Sequence, residues 1–375
     1  MNMPSNIVAY EWPLDETKQV VFIAGDDQIH EMVTGQKGGW RDDAISELAG
    51  APALALEMAI MTGYAWSDGR TKQIAYVSPV DGNGHIHELV TRQGNTWSYA
   101  DLMDQLPGAP AADGVAIAGY AWKANGTKQV VYTGSDSHIH ELMVGVIGMW
   151  AHSDLTQITG APLAEGSALV GYAWESGGTR QVLYGSGDGH IHELSAGKSG
   201  SWSHRDLTQL TGAPPAEGSA LAGYAWESGG TRQVVYIGSD RHIYELAADG
   251  SGTWTYTDLL QLTGTPLAEG SALAGYSWET GGSKQVVYVG SDRHIYELSY
   301  SAGSTWSHTD LTQLTGAPEA SNELVIGYEW TAQFAKQVVY LDTRENPHIH
   351  ELMLKHGGSW QHTDLTRLTD APELV

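Results

Sequence analysis

A Gly/Ala-Tyr-x-Trp motif occurs seven times in this 375-residue chain, and nearly every other feature keeps step with it. The pairs are Tyr10/Trp12, Tyr64/Trp66, Tyr120/Trp122, Tyr172/Trp174, Tyr224/Trp226, Tyr276/Trp278 and Tyr328/Trp330. Successive tyrosines lie 54, 56, 52, 52, 52 and 52 residues apart. A repeat of that length is a unit that cannot bury its own apolar face and must stack on copies of itself. The units run approximately over 1–52, 53–110, 111–162, 163–214, 215–266, 267–318 and 319–375.

The unit from Ser219 to Pro266 shows the pattern most cleanly. Its apolar or alternating runs are Ala220–Trp226, Gln233–Ile237, His242–Leu246 and Trp254–Leu259, parted by Gly, Ser and Asp. Short runs rich in β-branched and aromatic residues, bounded by turn formers, read as strands. None sustains a 3.6-residue period, so no helix is expected. Seven four-stranded units predict an all-β chain, a single seven-bladed β-propeller of four-stranded antiparallel blades. The first run, Ile7–Trp12, and the last, Trp360–Leu365, lie near the two ends. The frame leaves open whether the ring closes between whole blades or through one shared by both termini.

Composition bounds the function. There are 19 Lys plus Arg against 44 Asp plus Glu, a formal charge of −25, which opposes binding to nucleic acid and to anionic membranes. No stretch is long and apolar enough for membrane insertion. The N-terminal segment carries neither a basic start nor an apolar signal core, so the expected location is cytoplasmic, or outside the cell after release without a classical signal peptide. The chain has no cysteine, which removes disulfides, thiolate metal ligands and cysteine nucleophiles. Homo-oligomerisation stays open.

Three polar positions recur with the period. A glutamate stands in the third run of every unit: Glu31, Glu88, Glu141, Glu193, Glu245, Glu297 and Glu351. A glutamine begins the second run: Gln19, Gln73, Gln129, Gln181, Gln233, Gln285 and Gln337, each directly preceded by Lys or Arg. An aspartate lies in the fourth run, at 101, 154, 206, 258, 310 and 364, with Asp42 or Asp43 in the first copy. The aspartate suits a cap or a strand lock. Glutamine and glutamate on neighbouring strands can converge. Every tryptophan also holds a repeat position. One set lies in the first run; the other starts the fourth: Trp40, Trp97, Trp150, Trp202, Trp254, Trp306 and Trp360. Both sets suit a core between blades, and one of them suits a stacking platform. Carboxylate, amide and indole together match a sugar, whose hydroxyls take the polar groups and whose C–H face takes the ring.

Histidine pairs such as His85/His87, His138/His140, His190/His192 and His348/His350 share strand faces, with His152, His204, His308 and His362 in the fourth runs. Three imidazoles suffice for zinc. Tyr244 and Tyr296 replace the second histidine in two units, however, which favours a pH-sensitive cluster over a metal site. No metal or cofactor is expected. An enzyme would break its own repeat to gather unlike polar groups. Here the units stay alike, the visible departures being the turns at 79–84 and 343–347. Sameness favours several equivalent weak sites that gain avidity together.

The second and third runs, such as RQVVYIGSDRHIYEL from Arg232 to Leu246, resemble the blade signature of fucose-binding propeller lectins of the Aleuria aurantia lectin type. That family is six-bladed, with sugar pockets between blades lined by an arginine, a glutamate and aromatic residues. The resemblance covers the hairpin and the following Gly-x-Trp across most of the chain. It implies a sugar-binding role for Glu245 and its equivalents, and it sets the family arginine on Gln233 and its equivalents rather than on Arg232. A count of seven is more similar to other seven-bladed lectins. The reading is a multivalent, non-enzymatic lectin for glycans or glycoconjugates. A protein-interaction scaffold is the alternative, followed by a carbohydrate-active hydrolase or lyase.

Overall fold

A computed structural model describes residues 7–52, 60–78, 84–94 and 96–374. The turn at 79–83 lies outside them. The described strands form seven four-stranded antiparallel sheets, and the fold is a seven-bladed β-propeller. Each sheet takes four consecutive strands in chain order, so no described blade is shared between the two ends of the chain. The fifth blade is typical, with strands Ala216–Trp226, Thr231–Gly238, Ile243–Asp249 and Trp254–Asp258. Near the C-terminus, Leu374 bridges Ala24 of the first blade, and the Gly25 amide donates to the Glu373 carbonyl at 2.8 Å.

Two compact units make up the chain: one is mainly Met3–Gly187 with His192–Arg205, the other mainly Asp206–Ala371 with Asp188–Ile191. In the former, the first strands of blades one to four pack successively on one another; in the latter, those of blades five to seven do so. The core lies at these seams. Between blades one and two it joins Tyr10, Val21 and Ile23 to Met61, Ile74, Tyr76 and Leu89.

The leading glycine of the motif now has a cause. A β-carbon at Gly63 would stand 2.7 Å from the Tyr10 ring, and Gly119, Gly171, Gly275 and Gly327 likewise face Tyr64, Tyr120, Tyr224 and Tyr276. The glycine of one blade is thus the seat for the tyrosine of the blade before it.

Five-residue helices follow the fourth strand in six blades, for example Leu155–Thr159. The sequence pattern predicts no helix, because a single turn is too short to show a 3.6-residue period. In the last five, an aspartate caps the turn: Asp154 Oδ1 accepts from the Gln157 amide at 2.8 Å, and Asp206, Asp258, Asp310 and Asp364 do the same. Each of these helices ends on a residue in the left-handed conformation, glycine in the first four and Asp370 in the last. No helix among the described residues is long and apolar enough to cross a membrane.

Candidate functional site

Strand parity decides which polar residues meet. In the first blade Tyr10 is opposite Gln19 and Val21 opposite Glu31, so Tyr10, Trp12, Gln19 and Glu31 share one face of the sheet. Lys18, one residue from Gln19, projects from the other face. The same alternation recurs in the other blades, and within each unit the cation of one blade reaches the glutamate of the blade before it.

The contacts follow this rule. Lys72 Nζ lies 2.6 and 2.7 Å from the two Glu31 carboxylate oxygens. Lys128 donates to Glu88 at 2.6 Å, Arg180 to Glu141 at 2.9 Å, Lys284 to Glu245 at 2.7 Å and Lys336 to Glu297 at 2.7 Å. Two indoles flank each cation. Lys72 Nζ sits 5.1 Å from the centroid of Trp12 and 5.2 Å from that of Trp97. Trp66 and Trp150 enclose Lys128, Trp122 and Trp202 enclose Arg180, Trp226 and Trp306 enclose Lys284, and Trp278 and Trp360 enclose Lys336. These are cation–π distances. The fourth-run tryptophan covers the cation of its own blade in the remaining two cases as well, Trp40 over Lys18 and Trp254 over Arg232.

All seven glutamates are buried. Glu193 also takes Arg205 Nη1 at 3.4 Å, and Glu351 lies equally deep. Burial pushes the Glu31 carboxyl above its ordinary range and the Lys72 ammonium below its own, while each partner's charge opposes that push. Burial raises Glu245 too, against the pull of Lys284. Glu141 is pushed up to about 7 by burial, opposed by Arg180 and by the Tyr120 hydroxyl, which donates to it at 3.3 Å. The first-run indoles are buried, and the Nε1–H groups of Trp12, Trp66, Trp122, Trp226 and Trp278 make no hydrogen bond to described protein atoms. The fourth-run indoles stay partly exposed except Trp254. Each of these five seams therefore places an acceptor, a donor cation and a first-run indole together, with a second indole at the rim.

The glutamines do not join this group. All seven are fully buried. Gln19, Gln129, Gln181 and Gln233 each donate at 2.6 Å to the threonine two residues earlier; Gln73 donates to Thr71, and Gln285 donates to Ser283 at 2.7 Å. Gln337 has Ala335 in that place and no partner among the described residues. The group that meets Glu at these five seams is the Lys or Arg that precedes Gln. First-run tryptophans, assignable from sequence to either role, form the inner wall.

Most of the third-strand histidines are engaged in hydrogen bonds. His138 Nδ1 donates to Asp154 at 2.7 Å, and the same pair recurs as His85–Asp101, His190–Asp206, His242–Asp258, His294–Asp310 and His348–Asp364. The second histidines stack a further layer: His140 bonds His152 at 3.0 Å and Asp136 at 3.0 Å, and His350 bonds His362 at 2.9 Å and Asp342 at 3.1 Å. Tyr244 and Tyr296 replace the imidazole by donating to Asp240 and Asp292 at 2.7 Å. Groups such as His348, His350 and Asp364 bring three donor atoms together, but their lone pairs and protons already serve this lattice.

No protein-family model and no curated protein matches the chain. Solved structures do. The BP39L lectin from Burkholderia pseudomallei is similar over 100% of both chains, with a TM-score of 0.73 at 12% identity. A variant of the Aleuria aurantia lectin in complex with Fucalpha1-6GlcNAc matches 82% of this chain and 95% of its own, with a TM-score of 0.54 at 16% identity. AofleA from Arthrobotrys oligospora matches 97% of this chain and 88% of its own, with a TM-score of 0.54 at 12% identity. At these identities the likeness establishes a shared fold.

Proposed function

We propose that the protein is a multivalent, non-enzymatic carbohydrate-binding propeller whose sites lie at the seams between blades. One observation carries the reading: the carboxylate–cation pair enclosed by two indoles, repeated at five seams within the two units. As a stability device that arrangement is poor, since desolvating two charges costs several kcal/mol per ion and a well-packed apolar pair is often as good. As a sugar site it is apt. The carboxylate accepts from hydroxyls, the cation and the indole N–H donate to them, and the half-exposed indole stacks on the pyranose C–H face. Several of the solved structures similar in fold are of lectins, one with α-methyl fucoside bound, which supports the same reading.

A glycan array with the full chain tests it. Binding to at least one glycan is expected, with loss of the signal when Glu31, Glu88, Glu141, Glu245 and Glu297 are changed together to Gln. An intact, folded protein silent on every glycan overturns the proposal. That result would favour the scaffold reading, for which the exposed apolar side chains Leu48 and Ile158 of one unit and Leu210, Leu262, Leu314 and Leu368 of the other are the support.

A further inference from the structure

One loop breaks the repeat beside one of these sites. The segment joining the third and fourth strands leads straight into the outer tryptophan of the seam. In most blades it is polar or glycine-rich: Gln36-Lys-Gly-Gly39 before Trp40, Lys198-Ser-Gly-Ser201 before Trp202, Gly250-Ser-Gly-Thr253 before Trp254 and His356-Gly-Gly-Ser359 before Trp360. In the third blade it reads Val146-Ile-Gly-Met149 before Trp150. Ile147 is 98% exposed, Met149 91% and Val146 55%. Three apolar side chains at one loop tip, on a chain with a net charge of −25, hold their hydrophobic surface in water, uncovered among the described residues. Such a cluster marks a contact with something apolar.

Its neighbour says what that something is. Met149 is bonded directly to Trp150, whose ring covers Lys128, and Lys128 pairs with Glu88 beneath Trp66. Resting on the sugar-binding reading above, we infer that the seam between the second and third blades takes a glycan carrying an apolar group: the sugar occupies the Glu88–Lys128–Trp150 enclosure, and Val146, Ile147 and Met149 cover the apolar aglycone. The acidic chain disfavours an anionic surface, so a membrane-borne ligand of this kind would be displayed on a neutral or zwitterionic bilayer. The other loops lack the apolar tip, so the preference belongs to one site per chain.

The test compares methyl and octyl glycosides of a panel of monosaccharides by calorimetry, on the wild-type chain and on the V146S/I147S/M149S variant, whose changes leave the ion pair and the indoles in place. Burial of the alkyl chain against this loop is expected to create one site per chain that binds the octyl glycoside about tenfold tighter than the methyl one. In the variant the tight site disappears while methyl glycoside binding is unchanged. A second arm uses phosphatidylcholine vesicles with and without the same sugar on a lipid. Retention of wild type but not variant on the sugar-bearing vesicles identifies a glycolipid. Tight octyl binding without vesicle retention identifies a soluble apolar glycoside. Methyl glycosides that bind, with octyl glycosides no tighter or equally tight in the variant, overturn the inference and leave the lectin reading standing. A panel on which neither form binds overturns both.

Discussion

The Arg180 guanidinium crosses from its own blade to the Glu141 carboxylate of the preceding one, Nη2 to Oε2 at 2.9 Å, with its neighbouring nitrogen 3.0 Å from Met143 Sδ. Lysine performs the crossing at the other four described seams, so the pair is a property of the repeat and not of one position. Its consequences can be measured.

Changing Lys72 to Met leaves the buried Glu31 carboxylate without its cation. The expected loss is about 3 kcal/mol at neutral pH, read from urea unfolding. The cost has a definite pH dependence. Burial already raises Glu31, and without Lys72 only the weaker pull of Arg41 opposes that. A carboxyl whose folded pKa exceeds its unfolded value stabilises the fold in its protonated form, and that stability is lost as pH rises. The deficit of the variant should therefore shrink towards acid and grow towards neutral pH, and the E31Q/K72M double variant should recover most of it. A deficit that stays flat with pH would show that the pair is not electrostatically coupled.

The imidazole pairs set the acid limit. Burial, reinforced by the facing imidazole of His140, lowers His152; burial lowers His350 despite Asp342 and Asp364, and burial with His350 lowers His362. A histidine whose folded pKa lies below its unfolded value contributes stability at higher pH and withdraws it as pH falls below about 6.5. His140→Tyr converts the third blade to the residue set of the sixth, with a hydroxyl that can donate to Asp136 as Tyr296 does to Asp292. Its Tm should fall less steeply on acidification than that of the wild type. An unchanged slope would remove the pair from any role in acid sensitivity.

Gly119 seats the Tyr64 ring, so Gly119→Ala forces the two blades apart or the ring off its rotamer. About 1–3 kcal/mol of destabilisation is expected by calorimetry. Gly108→Ala, where a β-carbon meets nothing within 4 Å, is the control and should be near neutral.

Gln337 lacks the hydroxyl that its six counterparts donate to. Ala335→Thr supplies it on a strand pair that carries threonine or serine in every other blade, and the stability should rise by about 1 kcal/mol. A fall would mean that the seventh blade has repacked around the alanine.

Blade number and strand count were legible because Gly, Ser and Asp punctuate alternating runs at a constant period. The seam was only half legible. Glutamate and the outer tryptophan could be picked out as repeated polar and aromatic positions, but the contact between glutamate and the cation beside glutamine could not. Parity held the answer: Gln19 and Glu31 lie on one face, while Lys18 lies on the other. Within a single blade that separates Lys from Glu; only the stacking of two blades brings Lys72 to Glu31. The glycine of the motif was opaque for the same reason, since the ring it accommodates belongs to another repeat. The apolar tip at Ile147 was visible in the letters, but its near-complete exposure was not.

The seat and the tenant of each seam belong to different repeats: a unit offers Gly and a cation backwards, and Tyr, Trp and Glu forwards. Copies are therefore interchangeable along a compact unit, the first differing in carrying Ala9 where the others have glycine. Recombination that adds or deletes one repeat within a compact unit in frame would leave no mismatched junction to repair, and the number of the seam sites proposed above would change in step with the length of the gene.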